Sequence, residues 1–210
     1  MKILLVDDHK MMRDGLRAVL EKAGLRVIGE AASGREAITL ARALRPRVVV
    51  MDISMPDLNG IDATRQLLGV LPEIKIIGLS MNSDRRYVVA MFKAGAVGYL
   101  LKNSASDELI QAVHAVTSDL TYVSPSIASV VVDTFIDGER LSPQPALSPR
   151  EREVLQVLAE GKSSKEIAHH LHVAVTTVET HRRQIMDKLK LHTIAELTKY
   201  AIREGLTSLE

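Results

Sequence analysis

Five residues in the first half of the chain, Asp7, Asp8, Asp52, Ser80 and Lys102, have the types and spacing to do chemistry together. Each stands where an apolar run stops. KILLV leads into Asp7 and Asp8, IIGL into Ser80 and GYLL into Lys102. In the stretch VVVMDISMPDLNG, residues 48–60, four apolar residues run straight into Asp52, and Pro56, Asn59 and Gly60 form a turn close behind. An ionised carboxylate at the mouth of a buried strand is costly unless something there needs the charge. Carboxylates gathered in a small space repel by about 4 kcal/mol per pair at roughly 4 Å and an effective dielectric of about 20. A hard divalent cation relieves that repulsion, and an open, oxygen-rich ligand set suits Mg2+, which keeps several waters. A lysine and a hydroxyl beside the cation would complete a pocket for a phosphoryl group. Singly, each residue has a plainer role: the aspartates suit a helix start, Ser80 a cap and Lys102 a solvated surface. Their conjunction favours one shared site.

The elements that must position these residues are legible between residues 2 and 116. The runs KILLV, RVIGEA, RVVVM, IKIIGL and VGYLL read as strands, mostly without polar alternation, which implies burial on both faces of a parallel sheet. Helical stretches lie between them, such as REAITLARAL with Ile38, Ala41 and Leu44 on one face, opened by a capping box of Ser33 and Glu36. Five strands alternating with five helices predict an α/β doubly wound, five-stranded parallel sheet. In such a sheet ligands bind beyond the carboxyl ends of the strands, at the switch point between strands one and three. All five candidate residues fall on that edge.

After residue 147 the strand signal vanishes. Ser148 as N-cap, Pro149 at the first helical position, Glu151 closing a capping box and Gly161 beyond the end mark a helix. SSKEIAHHL, VTTVETHRRQIMDKL and TIAELTKYAIREG continue an all-α block. The expected domains are 1–116, a linker at 117–146 and the helical block at 147–210. The linker carries one helix, from about residue 124 to 137, then a loop marked by Gly138, Pro143 and Pro145. Two helices joined by the tight connection HVAV, the second bearing basic residues, suit insertion into a DNA major groove. Val178, Ile185 and Leu189 would face the core, and Glu179, Thr180, Arg182 and Arg183 would project outward. Charge argues less clearly, since 10 Lys and Arg stand against 9 Asp and Glu from Ser148 onward, but Arg182, Arg183, Lys188 and Lys190 cluster.

Composition narrows the function classes. The chain has no cysteine, which excludes disulfides and thiolate metal sites. No apolar run approaches the length of a membrane span, and MKILLVDD breaks its own run with acids, so a cytoplasmic protein is expected. VDDHKMM has no glycine, against a dinucleotide fold. An aspartate-nucleophile phosphatase would place a second aspartate where Ser54 stands, so Asp52 could accept a phosphoryl group without machinery for its rapid removal. A Mg2+-dependent phosphatase and a protein-interaction adaptor remain the alternatives.

Residues 1–116 resemble the receiver domain of a bacterial two-component response regulator, through the acidic pair, MDISMPDLNG, Leu79–Ser80 and GYLLK at 98–102. The resemblance implies that Asp52 takes a phosphoryl group from the phosphohistidine of a histidine kinase, without being a turnover enzyme. It implies Mg2+ held by Asp8 and Asp52 directly, Asp7 largely through water, and the Ser54 backbone carbonyl. Ser80 would bond the phosphoryl oxygen, Lys102 would pair with it, and Tyr99 would turn inward on activation. Asn103 departs from the proline common after that lysine. Residues 147–191 resemble the LuxR-type helix-turn-helix of the NarL/FixJ class, through LSPRE, Val154, Leu155, Gly161, KEIA, Leu171, TVETH and KL at 188–189. That resemblance implies double-stranded DNA as partner, Glu179, Thr180 and Arg183 near bases, and Thr176, Thr177 and Lys188 nearer phosphate. It also implies a homodimer on activation, paired through the last helix. Glu179 stands where lysine is frequent, and Ala174 where an N-capping Ser or Thr is usual.

Overall fold

A computed structural model describes residues 1–81, 83–103, 106–136 and 147–207. The chain divides into two compact units, Met1–Glu139 and Arg140–Glu210. The loop expected around Gly138, Pro143 and Pro145, and the last residue of the expected linker helix, Asp137, lie outside the described residues.

The first unit alternates strands and helices: β1 (Lys2–Val6), α1 (Lys10–Lys22), β2 (Arg26–Ala31), α2 (Gly34–Leu44), β3 (Val48–Asp52), α3 (Gly60–Val70), β4 (Lys75–Ser80), α4 (Arg85–Lys93), β5 (Gly98–Leu101) and α5 (Ser106–Thr117). Beyond these come β6 (Tyr122–Val123), a 3-10 turn (Pro125–Ile127) and α6 (Ala128–Ile136). The sheet runs β2-β1-β3-β4-β5-β6 with every pair parallel. It therefore has six strands, where the hydrophobic pattern predicts five. The sixth pairs Tyr122 and Val123 with Gly98 and Tyr99; a strand of two residues is too short to leave a periodic signal.

Successive side chains along a strand point to opposite faces, and here both faces are dry. Leu4, Val6, Val49, Met51, Ile76 and Tyr99 belong to one core. Ile3, Leu5, Val48, Val50, Ile77 and Leu79 belong to the other, packed by residues of α1 and α5. That double burial is why the strands read as unbroken apolar runs. Ile127, fully buried, and Val131 of α6 join the first core, so the segment after α5 packs on the sheet. Ser33 accepts from the Glu36 amide, but the Glu36 carboxylate returns to the Ala32 amide at 2.7 Å. The reciprocal bond thus lands one residue before the expected cap.

The second unit is all α: α7 (Pro149–Ala159), α8 (Ser164–His170), α9 (Val175–Leu189) and α10 (Ile194–Arg203). Complete capping boxes open α7 at Ser148, α8 at Ser163 and α10 at Thr193. Only α9 starts without a side-chain cap, at Ala174. Val178 and Ile185 are fully buried in the shared core with Val154, Leu155 and Leu197, and Leu189 packs against it. The turn between α8 and α9 is tight enough to hold His172 in the left-handed region, at φ 52. Among the described residues, no helix is long and apolar enough to cross a membrane.

Candidate functional site

The parallel pairing of β1 with β3 sets Val6 opposite Met51, so the residues that follow, Asp7 and Asp52, emerge side by side. Asp7 is fully buried and Asp52 is 1% exposed. No acidic residue lies in the first turn of α1, so Asp7 and Asp8 serve the strand edge and not the helix dipole. From two strands further along, Lys102 reaches back: its Nζ lies 2.7 Å from Asp7 Oδ2 and 2.8 Å from Asp52 Oδ2. Its own amide donates to the Ser80 carbonyl at 2.7 Å, which continues the β4–β5 pairing past the end of the strands. Among the described residues there is no cis peptide bond, so Lys102–Asn103 is trans.

The turn after β3 is built around close approach. A Cβ on Gly60 would sit 2.0 Å from the carbonyl oxygen of Asp52, so only glycine fits there. Asn59 then caps α3 by accepting from the Asp62 amide at 2.9 Å. The Ser54 amide donates to Asp52 Oδ1 at 3.2 Å, which leaves Oδ2 to Lys102.

Electrostatics follow from this packing. Burial pushes the Asp52 carboxyl up to about 6, with the Lys102 charge opposing and Asp7 adding to the rise. Burial also works against the Lys102 ammonium, but attraction to Asp52 and Asp7 outweighs it, and the lysine sits above its ordinary value. Tyr99 is fully buried, and burial pushes its hydroxyl to about 12 despite a hydrogen bond with the Ser80 side chain. Its ring is thus already inside, so no swing is needed to bury it.

The residues fit a cation. Ligand atoms of Asp7, Asp8, His9 and Asp52 all lie within 4.8 Å of one another. Two buried carboxylate oxygens are each met by a nitrogen: Lys102 Nζ lies 2.7 Å from Asp7 Oδ2 and His9 Nδ1 lies 2.8 Å from Asp8 Oδ1. Carboxylate oxygens gathered so closely are the donor set a hard cation takes. His9 is a member that sequence reasoning overlooked, although it adjoins the acidic pair. Arg13, outside that set, braces it: its Nη1 donates to the Asp7 carbonyl at 2.6 Å while its Nε meets Glu30, and nothing in the sequence pattern marks that bond.

On the second unit, Thr176, Thr177, Glu179, Thr180 and Arg183 are exposed on the N-terminal half of α9. Thr180 Oγ1 bonds the Thr176 carbonyl at 2.8 Å. Two basic residues are less available than their sequence suggests. Arg182 is drawn sideways, 2.8 Å from Ser164 Oγ and 3.1 Å from Glu179 Oε1, and does not project freely. Lys188 Nζ lies 2.7 Å from the buried Glu151, so its charge is already matched.

Comparison with known proteins agrees with both halves. Residues 3–114 match the response regulator receiver domain, and residues 145–201 match the bacterial regulatory proteins of the luxR family. The chain is 37% identical to the transcriptional regulatory protein MctR of Rhizobium johnstonii, over 99% of this chain and 95% of that protein. It is 36% identical to the response regulator UvrY of Escherichia coli K12, over 99% and 96%. Among solved structures, a LuxR-family two-component response regulator from an Aurantimonas species is similar with a TM-score of 0.62 at 36% identity, over 64% of this chain and 97% of that one. The response regulator RcsB in complex with DNA is similar with a TM-score of 0.62 at 26% identity, over 97% and 98%. The chain belongs to the response regulators that join a receiver domain to a LuxR-type helix-turn-helix and regulate transcription by binding DNA.

Proposed function

We propose that Asp52 accepts a phosphoryl group from the phosphohistidine of a histidine kinase, and that this controls DNA binding through α9. The observation that carries the reading is the Lys102 ammonium held within 2.8 Å of both Asp7 and Asp52, in a cluster where ligand atoms of Asp7, Asp8 and Asp52 lie within 4.8 Å of one another. That arrangement can receive both a cation and an anionic group. With a carboxyl pKa of about 6, Asp52 is mostly ionised at neutral pH and able to attack phosphorus. As the bond from Asp52 to phosphorus forms, the bond to the donor imidazole nitrogen breaks, and the leaving group departs in line. Phosphoryl transfer of this kind is mostly positioning and charge neutralisation. Mg2+ (magnesium), when held by Asp7, Asp8, Asp52 and the Ser54 carbonyl, supplies that neutralisation.

Lys102 then exchanges its contact with Asp52 for a phosphoryl oxygen, and the Ser80 hydroxyl turns to a second. Because Ser80 also bonds Tyr99, its turn disturbs a buried tyrosine in the core that α6 packs against. Thr176, Thr177, Glu179, Thr180 and Arg183 form the DNA face in this reading, with Arg182 and Lys188 as braces at its margins. Two copies of the chain pair on one DNA site in the bacterial cytoplasm. Ser54, two residues after Asp52, cannot serve as a proton donor for rapid hydrolysis, which suits a switch.

Acetyl phosphate labelling of the full chain tests the acceptor. With Mg2+ the protein becomes labelled, and Asp52→Asn or a chelator abolishes it. Label that persists in Asp52→Asn moves the acceptor elsewhere.

A further inference from the structure

His9 stands at the rim of the acidic cluster with its imidazole turned towards the acids. It is the N-cap residue of α1, yet its side chain makes no capping bond. Its amide donates to Asp7 Oδ1 at 2.8 Å, which turns the chain back over the acids. The imidazole follows: Nδ1 lies 2.8 Å from Asp8 Oδ1 and 3.4 Å from Asp7 Oδ1, although the side chain is 67% exposed and could point to solvent. Nδ1 thus occupies the same shell as the carboxylate oxygens, all within 4.8 Å of one another. Opposed ligands on a cation with bonds near 2.1 Å are roughly 4.2 Å apart, so little contraction closes the set.

We infer that His9 Nδ1 is a ligand of the cation held by Asp7, Asp8 and Asp52, so that the site takes first-row transition-metal dications in preference to Mg2+. The inference rests on the acidic cluster being the divalent-cation site. An all-oxygen set suits Mg2+, whereas an imidazole nitrogen raises affinity along the series from Mn2+ through Co2+ to later metals. Mg2+ dehydrates reluctantly and gains little from a nitrogen. His9 lies on an exposed rim, so its replacement leaves the buried acids and the cores untouched.

Pulsed electron paramagnetic resonance of Mn2+ bound to the full-length protein reads the ligand directly. The wild type should show coupling to an imidazole nitrogen, and His9→Gln should lose it while still binding Mn2+. By calorimetry, His9→Gln should weaken Co2+ at least about tenfold, the lower end of what loss of even an outer-shell partner costs, and leave Mg2+ affinity unchanged. Bound Mn2+ with no nitrogen coupling overturns the inference while leaving the cation site standing. So does coupling that survives in His9→Gln, which would assign it to another histidine, or an equal loss for Co2+ and Mg2+. A wild type that binds no divalent ion removes both the inference and the reading beneath it.

Discussion

At the scale of the residue, Asp52 is held in a tension that the cation and the phosphoryl group would relieve. Its folded pKa of about 6 lies above the ordinary 3.8, chiefly because it is buried. A carboxyl shifted upward stabilises the fold while protonated: the contribution is complete below about pH 4 and is lost as pH rises through about 6. In the presence of a chelator, Asp52→Asn should therefore be more stable than the wild type at neutral pH, by on the order of 3 kcal/mol. The gap should close below about pH 4, and urea denaturation across that range measures it. With saturating Mg2+ the order should reverse, because binding to the folded wild type adds stability that the variant cannot gain. Equal stability at both pH values would show that Lys102 alone neutralises the site. The types and spacing of Asp7, Asp8, Asp52, Ser80 and Lys102 were readable because each follows an apolar run. The pull of Lys102 on two acids, the aim of His9 and the Arg13 bond to the Asp7 carbonyl were not, since they join residues whose separation in sequence has no period.

At the scale of the element, α9 divides its charges between bracing and exposure. Val178 and Ile185 at helical spacing show the buried stripe, and the sequence pattern marks it well. The pattern cannot show that Lys188 is matched by the buried Glu151 of α7, or that Arg182 is captured by Ser164 of α8 and Glu179. Lys188→Ala should cost about 1–3 kcal/mol, because Glu151 is left buried without its cation. The same change should leave the salt dependence of DNA binding nearly unaltered. Arg183→Ala should do the opposite, sparing stability while weakening DNA binding by about 1–3 kcal/mol and relaxing discrimination at one base pair, as loss of a base contact does. Thermal melts and fluorescence anisotropy over a salt series separate the two, and a full unit of slope lost in Lys188→Ala would return that lysine to the DNA face. The sixth strand belongs to this scale as well: Tyr122 and Val123 pair with β5 only because the sheet edge is already there.

At the scale of the whole molecule, the near balance of charge limits how tightly one copy can hold DNA. The net formal charge is +1, and from Ser148 onward 10 Lys and Arg stand against 9 Asp and Glu. Two copies on paired half-sites gain by effective concentration what one copy lacks in phosphate contacts. Phosphorylation with acetyl phosphate and Mg2+ should therefore strengthen binding to a DNA with two half-sites by about a hundredfold. Binding to a single half-site should change little, and anisotropy with the two DNAs reads the difference; an equal gain on both would place the switch within one helical unit. What the sequence determined by itself was the pattern of burial: continuous apolar runs demand a sheet covered on both faces, and helical spacing with capping residues demands the α block. Both are local, repeating signals. Which acids share a lysine, which imidazole faces them, which arginine is free and how many strands the sheet carries were decided only by tertiary packing. Those depend on contacts between residues far apart in the chain, where burial strips water away and leaves each charge to the partner the fold brings near.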